Sequence, residues 1–411
     1  MMEHGDGTWR YTMERIHSRV GCLTARYSCL QASYWVVNCA LYGFAAVYLQ
    51  AGGFSAGEVG VVLALATLLS GVLQPVAAAF ADRTGRISIR SLLAVLAVLG
   101  AAPLALLYGL DAGKQATAAL FLLGALLIDL IQPLMNALSV YYAERGAALN
   151  FSIGRSAGSL GFAAASAMLG WLIAREGSDA MLLCCLAAYA LFFLLALGFP
   201  VLGRTSSPEE PGGGCRETAC SLPQFFRRYR RFCLSLTGIL FLACFHLMTE
   251  HYLYQMMLRA GGTERDMGLN LSMSTLLEMA AILAFSRFGP RMRTDVWLKV
   301  SAAAFLAKAV CFAAASSVWM LHGAQLFQAA SFGIYAPASV RYAKERVAPA
   351  DMVKGQAMVA AFYTLGGSLG NFLGGQLIDR WGVGVMLAAG TAAAAAGAAI
   401  LFLTVQKEEQ R

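Results

Sequence analysis

Long apolar segments recur along this chain, and they limit its fold more than any other feature. Crossing the hydrocarbon core of a bilayer, about 30 Å thick, takes roughly 20 apolar residues in a helix. Runs such as ALFLLGALLIDLI (119–131) do not alternate polar with apolar residues, as the strands of a membrane β-barrel do. The sequence therefore predicts an all-α membrane protein. About twelve windows qualify as spans, near 33–50, 57–80, 91–110, 115–142, 152–174, 179–202, 232–258, 266–288, 296–317, 319–340, 355–377 and 383–405.

The distribution of positive charge predicts the orientation of these spans. Most of the 31 Lys and Arg residues lie in gaps that alternate on one side of the membrane. The gaps on the other side hold Lys114, Arg175, Arg259, Arg265 and Arg380. The positive-inside rule then places both termini in the cytoplasm, in a plasma membrane or bacterial inner membrane. The net charge of +8 therefore reflects topology, and no nucleic-acid partner is needed to explain it.

One long hydrophilic stretch, residues 203–231, divides the spans into two sets of six. The basic and aromatic run FFRRYRR at its end favours contact with anionic lipid over nucleic acid. FADRTGR after the second span is echoed by FSRFGPR after the eighth, and duplicated bundles hold their substrate near the midplane between them. The predicted division is a cytoplasmic tail over 1–31, a six-helix bundle over 32–203, a cytoplasmic loop over 204–231, a second bundle over 232–405 and a tail over 406–411.

Five ionisable residues lie inside predicted spans, where an unpaired charge is costly and marks a functional candidate. Asp129, Glu278 and Lys308 fall near the midpoints of the fourth, eighth and ninth spans. Arg155 lies nearer the cytoplasmic end of the fifth span, and Glu250 lies in the seventh. A carboxyl group such as Glu278 can hold a proton until a cation such as Lys308 approaches it, which would couple transport to protons.

Two neighbours of these charges extend the candidate site. Asn136 lies two helical turns after Asp129 on the same face, at a depth similar to that of Arg155, so a hydrogen-bonded pair is expected. His246 and Glu250 share a helix face at i, i+4, and either a proton relay or a polar patch facing water explains them. Two His and one Glu on one helix cannot converge on a metal. Neither these residues nor the cysteines predict a metal or cofactor site.

Glycines at four-residue intervals accompany these polar positions. Gly154 and Gly158 flank Arg155, and Gly366, Gly370 and Gly374 follow the same spacing in the eleventh span. Small residues at this interval allow helices to approach closely. We therefore predict that these glycines serve helix packing.

At these residues the chain resembles the major facilitator superfamily, in the branch that contains lactose permease, nucleoside permeases and phenylpropionate permease. LQPVAAAFADRTGR matches the cytoplasmic gate motif of that superfamily, GRSAGSLGF resembles the pattern of the fifth span, and STLLEMA that of the eighth. The resemblance implies two six-helix bundles, alternating access and a monomeric transporter. It assigns the gate to Asp82, Arg83, Gly85 and Arg86.

The resemblance also implies roles for residues in the spans. Arg155 falls at a substrate-binding arginine, Glu278 at a glutamate used for sugar binding and proton coupling, and Lys308 at an arginine beside the proton site. Asn136 replaces a sugar-binding carboxylate, and Gln328 replaces a histidine. FSRFGPR also lacks the Asp of the gate motif.

These observations predict a secondary transporter for a small polar or weakly acidic solute, of the sugar, nucleoside or aromatic-acid class, coupled to protons. The substrate-binding candidates are Arg155, Asn136, Asp129 and Gln328, and the proton-coupling candidates are Glu278, Lys308 and Glu250. Uncoupled transport, efflux and a transporter-like sensor are the alternatives. The chain carries no catalytic triad, metal-ligand set or phosphate-binding loop, so an enzyme is not expected.

Overall fold

The computed structural model describes residues 6–83, 88–110, 113–143, 145, 147, 149–200 and 221–405, with side chains from residue 21 onward except at 78 and 80–83. Every regular element in these ranges is helical. The α-helices are α1 Asp6–Asn38, α2 Ala45–Ala51, α3 Ala56–Arg83, α4 Ile89–Gly109, α5 Lys114–Ala143, α6 Phe151–Glu176, α7 Ala180–Leu197, α8 Leu222–Arg228, α9 Arg230–His251, α10 Leu253–Arg259, α11 Glu264–Phe288, α12 Thr294–Ala314, α13 Val318–Gln325, α14 Phe332–Arg346, α15 Met352–Trp381 and α16 Val383–Thr404.

The helices agree with the predicted all-α membrane fold. Within the described ranges, 9 helices are long and apolar enough to span a membrane, or 10 if the bent pair of α1 and α2 is one span. The two remaining predicted spans correspond to α15, which is rich in glycine and polar residues, and to α13 with α14, which are separated by a break. The twelve-span prediction is compatible with this architecture.

The first span begins well before its predicted start near residue 33. The buried side chains of α1 begin at Leu23 and include Tyr27, Leu30 and Gln31. The polar residues that suggested a tail are bonded inside the protein, since Gln31 Nε2 donates to Tyr27 Oη at 2.8 Å and Arg26 donates to the Gly198 carbonyl. Hydropathy missed this start because it counts polar residues as exposed, whether or not they have partners.

Within the residues that the structure describes, three spans are broken, and each break lies next to polar residues. A π-helix, Cys39–Gly43, ends the straight part of the first span, which bends there by 52°. Tyr252 separates α9 from α10, and a 3-10 turn, Leu326–Gln328, precedes α14. At membrane depth, irregular backbone is tolerated only where it is buried in protein or lines a cavity. The breaks therefore mark where a cavity can form.

The helices pack as two groups that meet along two seams. α1, α3, α4, α5, α6 and α7 form the first half, and α9, α11, α12, α14, α15 and α16 form the second. The halves meet chiefly where α3 packs against α15 and where α6 packs against α11. Each seam is thus a pair of helices that crosses from one half to the other.

The seams are closed at one face, which we call the outer face because the charge distribution predicts it to be outside. There Asp379 on α15 accepts hydrogen bonds from Ser55 Oγ at 2.6 Å and from the Gly57 amide at 2.8 Å, at the start of α3. At the other seam, Gly268 of α11 lies against the backbone of Gly170 on α6. Backbone contact this close leaves no room for a solute to pass.

We expect Gly268→Val to hold the outer face open. A Cβ at Gly268 would overlap the backbone of α6, and overpacking of this kind costs about 1–3 kcal/mol. Relief of the clash favours separation of the seam. Labelling of a Ser159→Cys reporter in the cavity by an impermeant thiol reagent from outside, in a background free of native cysteines, should then rise about tenfold. Gly109→Val is the control, because nothing lies within 4 Å of its Cβ position. Equal labelling in both variants would contradict this prediction.

The glycine spacing predicted from the sequence does serve helix packing. Gly154 and Gly158 of α6 face aromatic rings of α1, and Gly366 and Gly370 of α15 face the backbone of α9. A Cβ at any of the four would overlap those atoms. The packing interpretation is confirmed.

The predicted gate is only partly within the described chain. Its residues have no described side chains: Asp82, Arg83, Gly85 and Arg86. The counterpart in the second half is described, and there the Gly289 carbonyl accepts from Trp297 Nε1 at 3.0 Å and from Arg341 Nη1 at 2.8 Å. These bonds fasten the turn between α11 and α12 to α14. Residues 204–220 of the predicted central loop also lie outside the residues that the structure describes.

Candidate solute site

A cavity of about 370 Å³ lies between the two halves, within the size range of small-molecule sites. Four of the residues predicted from the sequence line it: Arg155, Asp129, Glu250 and Glu278. Side chains of both halves complete the wall, among them Trp35, Asn38, Tyr42, Thr67, Ser70, Gln74, Ser159, Phe162, His246, His251, Thr275, Phe332, Tyr363 and Thr364. A solute held here would contact both halves at once.

Arg155 is held in the cavity wall by an aromatic ring and a hydroxyl. Its guanidinium carbon lies 4.3 Å from the centroid of the Trp35 ring, and Nη1 donates to Ser159 Oγ at 3.1 Å. It also lies within electrostatic reach of Glu278 on the opposite half. Asn136, the expected partner, is exposed and does not line the cavity. Stacking on Trp35 orients the guanidinium while leaving other N–H donors available to a solute.

Asp129 on α5 also lines the cavity. Its carboxylate accepts a hydrogen bond from Tyr42 Oη at 2.6 Å, and Tyr42 belongs to the π-helix that breaks the first span. Gln74 Nε2 donates to the Asp129 backbone carbonyl at 3.2 Å. The broken helix therefore places a phenol where it can orient a carboxylate in the cavity.

The predicted pair on α9 forms and faces the cavity. His246 Nε2 lies 3.1 Å from Glu250 Oε2, and the His246 ring stacks on Phe332 with centroids 4.9 Å apart. His246 is buried, and its Nδ1 has no hydrogen-bond partner among the described residues. An imidazole in this arrangement can exchange protons with the carboxylate or bond a solute through Nδ1.

Lys308 and Gln328 lie behind the cavity wall rather than in it. Lys308 is buried and donates to Gln328 Oε1 at 2.6 Å, and the Gln328 side chain also lies beside Glu278. Glu250 also lies within electrostatic reach of Lys308. Gln328 thus joins the buried cation to the carboxylate that lines the cavity. This position suits a link between the charges better than direct solute contact.

Cavity residues at the seam of the halves were hard to recognise from the sequence. His251 on α9 bonds Asn371 Oδ1 at 2.7 Å and stacks on Tyr42, with centroids 5.8 Å apart. Asn371 Nδ2 donates to Thr67 Oγ1 on α3 at 3.3 Å. Because Asn371 accepts from the imidazole and donates to Thr67, Nδ1 of His251 carries a hydrogen in this arrangement. These contacts form the roof of the cavity below the outer seam.

The aromatic residues of the wall were not predicted from the sequence. In the sequence, nothing distinguishes aromatic residues that line the cavity from those that pack elsewhere in the spans, and this applies to Trp35, Phe332 and Tyr363. Phe332 and Tyr363 contact each other with centroids 5.9 Å apart, in the second half. Among the described residues, no group of three His, Cys, Asp or Glu could hold a metal ion.

Comparison of the sequence and the structure with known proteins identifies the family of this chain. A model described as the MFS_1 like family matches residues 27–387. The maltose permease of Geobacillus stearothermophilus is 28% identical over 378 residues, which is 90% of this chain and 91% of that permease. The structure of the nucleoside transporter NupG has a TM-score of 0.73 at 18% identity, covering 95% of this chain and 98% of that one.

A bacterial homolog to the human lysosomal transporter Spinster, in an inward-facing and unoccupied conformation, has a TM-score of 0.65 at 14% identity over 94% of this chain and 97% of its own. At such identities these structures show a shared fold. The family match covers most of the chain and the relatives are transporters, not enzymes. The protein therefore belongs to the MFS_1-like family of major facilitator superfamily transporters.

Proposed function

We propose that this protein is a proton-coupled transporter of a small polyhydroxylated solute, of the sugar or nucleoside class. The observation that carries the proposal is the cavity in which Arg155 of one half lies across from Glu278 of the other. Transport relatives named for maltose and for nucleosides support the same class. The positive-inside distribution supports a plasma-membrane transporter with both termini in the cytoplasm.

The charges and rings of the cavity favour a neutral solute over an aromatic acid. Three carboxylates, Asp129, Glu250 and Glu278, line the cavity, whereas Arg155 is its one lining guanidinium among the described residues. Hydroxyl groups can donate to those carboxylates and accept from Arg155, while an anionic solute would meet like charge. Trp35 and Tyr363 add flat apolar faces against which a sugar or base ring can lie.

Proton coupling is supported by the connection from the cavity to a buried cation. Glu278 lines the cavity and reaches Lys308 through Gln328. A proton on Glu278 would remove its attraction for Lys308 and Arg155, and would free the guanidinium for a solute. Solute and proton would then share one switch, which is what symport requires.

Alternating access is supported by where the seams close. The contacts between α3 and α15 run from Ser55 and Asp379 at the outer face to Gly71 and Thr364. The Gly71 and Thr364 pair lies beside the cavity, since both residues line it. This arrangement fits an inward-facing conformation. Rocking of the halves about the cavity would open the outer seams.

Uptake into vesicles reconstituted with the purified protein tests the proposal. A thermal-shift screen with maltose, related glycosides, nucleosides and aromatic acids first selects the solute. We expect a sugar or nucleoside to stabilise the protein, and an inward-directed proton gradient to drive its accumulation. Accumulation abolished by a protonophore supports coupling, whereas equilibration unaffected by the gradient would establish uncoupled transport. Stabilisation by aromatic acids alone would overturn the substrate class.

A further inference from the structure

A second, much smaller cavity lies on the far side of Glu250 from the solute cavity. Its volume is about 10 Å³, and Glu250, Lys308, Gln325 and Thr249 provide its polar lining. Glu250 also lines the solute cavity, so one carboxylate borders both spaces. A space of this size accommodates a single water molecule, which needs two to four polar partners. The lining supplies them.

Two buried amide oxygens, one in the lining of this cavity and one on the residue before Leu271, lack such a partner. Gln325 is 5% exposed and Asn270 is 0% exposed, and the side-chain oxygen of each has no hydrogen-bond partner among the described residues. Buried polar atoms are rarely left without a bond, and ordered water is a common way to provide one. Lys308 donates one N–H to Gln328 and has two further N–H groups that can donate.

The same residues lead from the small cavity to the outer face. Gln325 lies one turn after His322 on α13, and Asn270 Nδ2 lies 3.0 Å from His322 Nδ1. Asn270 directly precedes Leu271, which lines the small cavity. His322 is half-buried in the last turn of α13, beside the exposed ring of Trp319 and within electrostatic reach of Asp266. Polar side chains therefore extend from the outer end of the second half to Glu250.

We propose that this line of residues is a hydrated proton route from the outer face to Glu250, separate from the path of the solute. One water molecule occupies the small cavity, bonded to Lys308, Gln325 and Glu250. A proton arrives past His322 and Asn270, is taken up by the Glu250 carboxylate through that water, and passes to His246 or Glu278 at the solute cavity. The outer seams can then stay closed to the solute while protons reach the site.

Gln325→Leu tests the route, with Gln255→Leu as the matched control. Both glutamines are buried in the second half, but Gln255 does not line the small cavity. We expect Gln325→Leu to slow proton-driven uptake about tenfold, because the water loses a hydrogen-bond partner. Equilibrium exchange of the solute, with equal solute on both sides and no proton gradient, should remain at the wild-type rate. His322→Phe should reproduce the effect at the outer end.

The inference rests on the proposed proton coupling, and the two can fail separately. A wild-type protein whose uptake ignores the proton gradient overturns the proposed function. A coupled wild type, with Gln325→Leu and His322→Phe variants that keep wild-type proton-driven uptake, overturns the route alone. Loss of exchange together with uptake in Gln325→Leu, but not in Gln255→Leu, shows a structural role and also overturns the route. Thermal unfolding of each variant verifies that the fold is retained.

Discussion

Glu278→Gln should abolish proton-driven accumulation of the solute while leaving exchange of solute across the membrane. The amide keeps the size and hydrogen-bonding capacity of the protonated carboxyl but cannot release a proton. Arg155 and Lys308 would both lose a negative neighbour, so the cavity would stay in the condition that proton binding normally creates. Initial rates of uptake with and without an imposed proton gradient measure the effect, and the ratio of the two rates should fall to about one.

Glu264→Gln is the matched control for this experiment. Glu264 begins the same helix, α11, and accepts a hydrogen bond from Tyr254 Oη at 2.9 Å outside the cavity. An amide oxygen can accept the same bond, so coupling in this variant should equal that of the wild type. If Glu278→Gln accumulated solute in response to a proton gradient as the wild type does, Glu278 would not carry the proton. Glu250 or Asp129 would then be the carboxylate to examine.

The fold could be predicted because membrane helices are set by length and hydropathy, which the sequence shows directly. The predicted spans at 319–340 and 355–377 correspond to the broken span of α13 and α14 and to α15. The start of the first span is the part of the fold that the sequence did not predict. The early start of α1 was missed because Gln31 is bonded within the bundle. A polar side chain that is hydrogen-bonded inside the protein cannot be told from an exposed one until its partners are known.

The charged residues of the site could be predicted from the sequence, but the contacts that their side chains make could not. Rarity inside apolar spans identified Arg155, Asp129, Glu250 and Glu278, and the structure brings all four to one cavity. Depth along a helix follows from counting residues, whereas the direction of a side chain around the helix depends on packing. For that reason the partner of Arg155 was sought at the same depth, on α5, and is instead an aromatic ring of α1.

The partnership of Arg155 with Trp35 leads to the second large expected effect. We expect Arg155→Lys to weaken solute binding by about ten- to a hundredfold, since a charged hydrogen bond contributes about 1.5–3 kcal/mol. A lysine keeps the charge but loses the planar fork that stacks on Trp35 and presents several donors in one plane. Affinity measured by calorimetry or by the concentration dependence of uptake reports the loss.

Arg175→Lys provides the comparison, because Arg175 also stacks on a tryptophan, 5.5 Å from the centroid of Trp171, but its side chain is 67% exposed at the end of α6. Solute affinity should not change in that variant. Trp35→Leu should weaken binding in the same direction as Arg155→Lys, and the double variant should lose less than the sum of the two losses, because each change removes the same stacked arrangement. Full affinity in Arg155→Lys would mean that the solute needs only a positive charge at this point, and an anionic group would then replace the neutral hydroxyls as the ligand of Arg155.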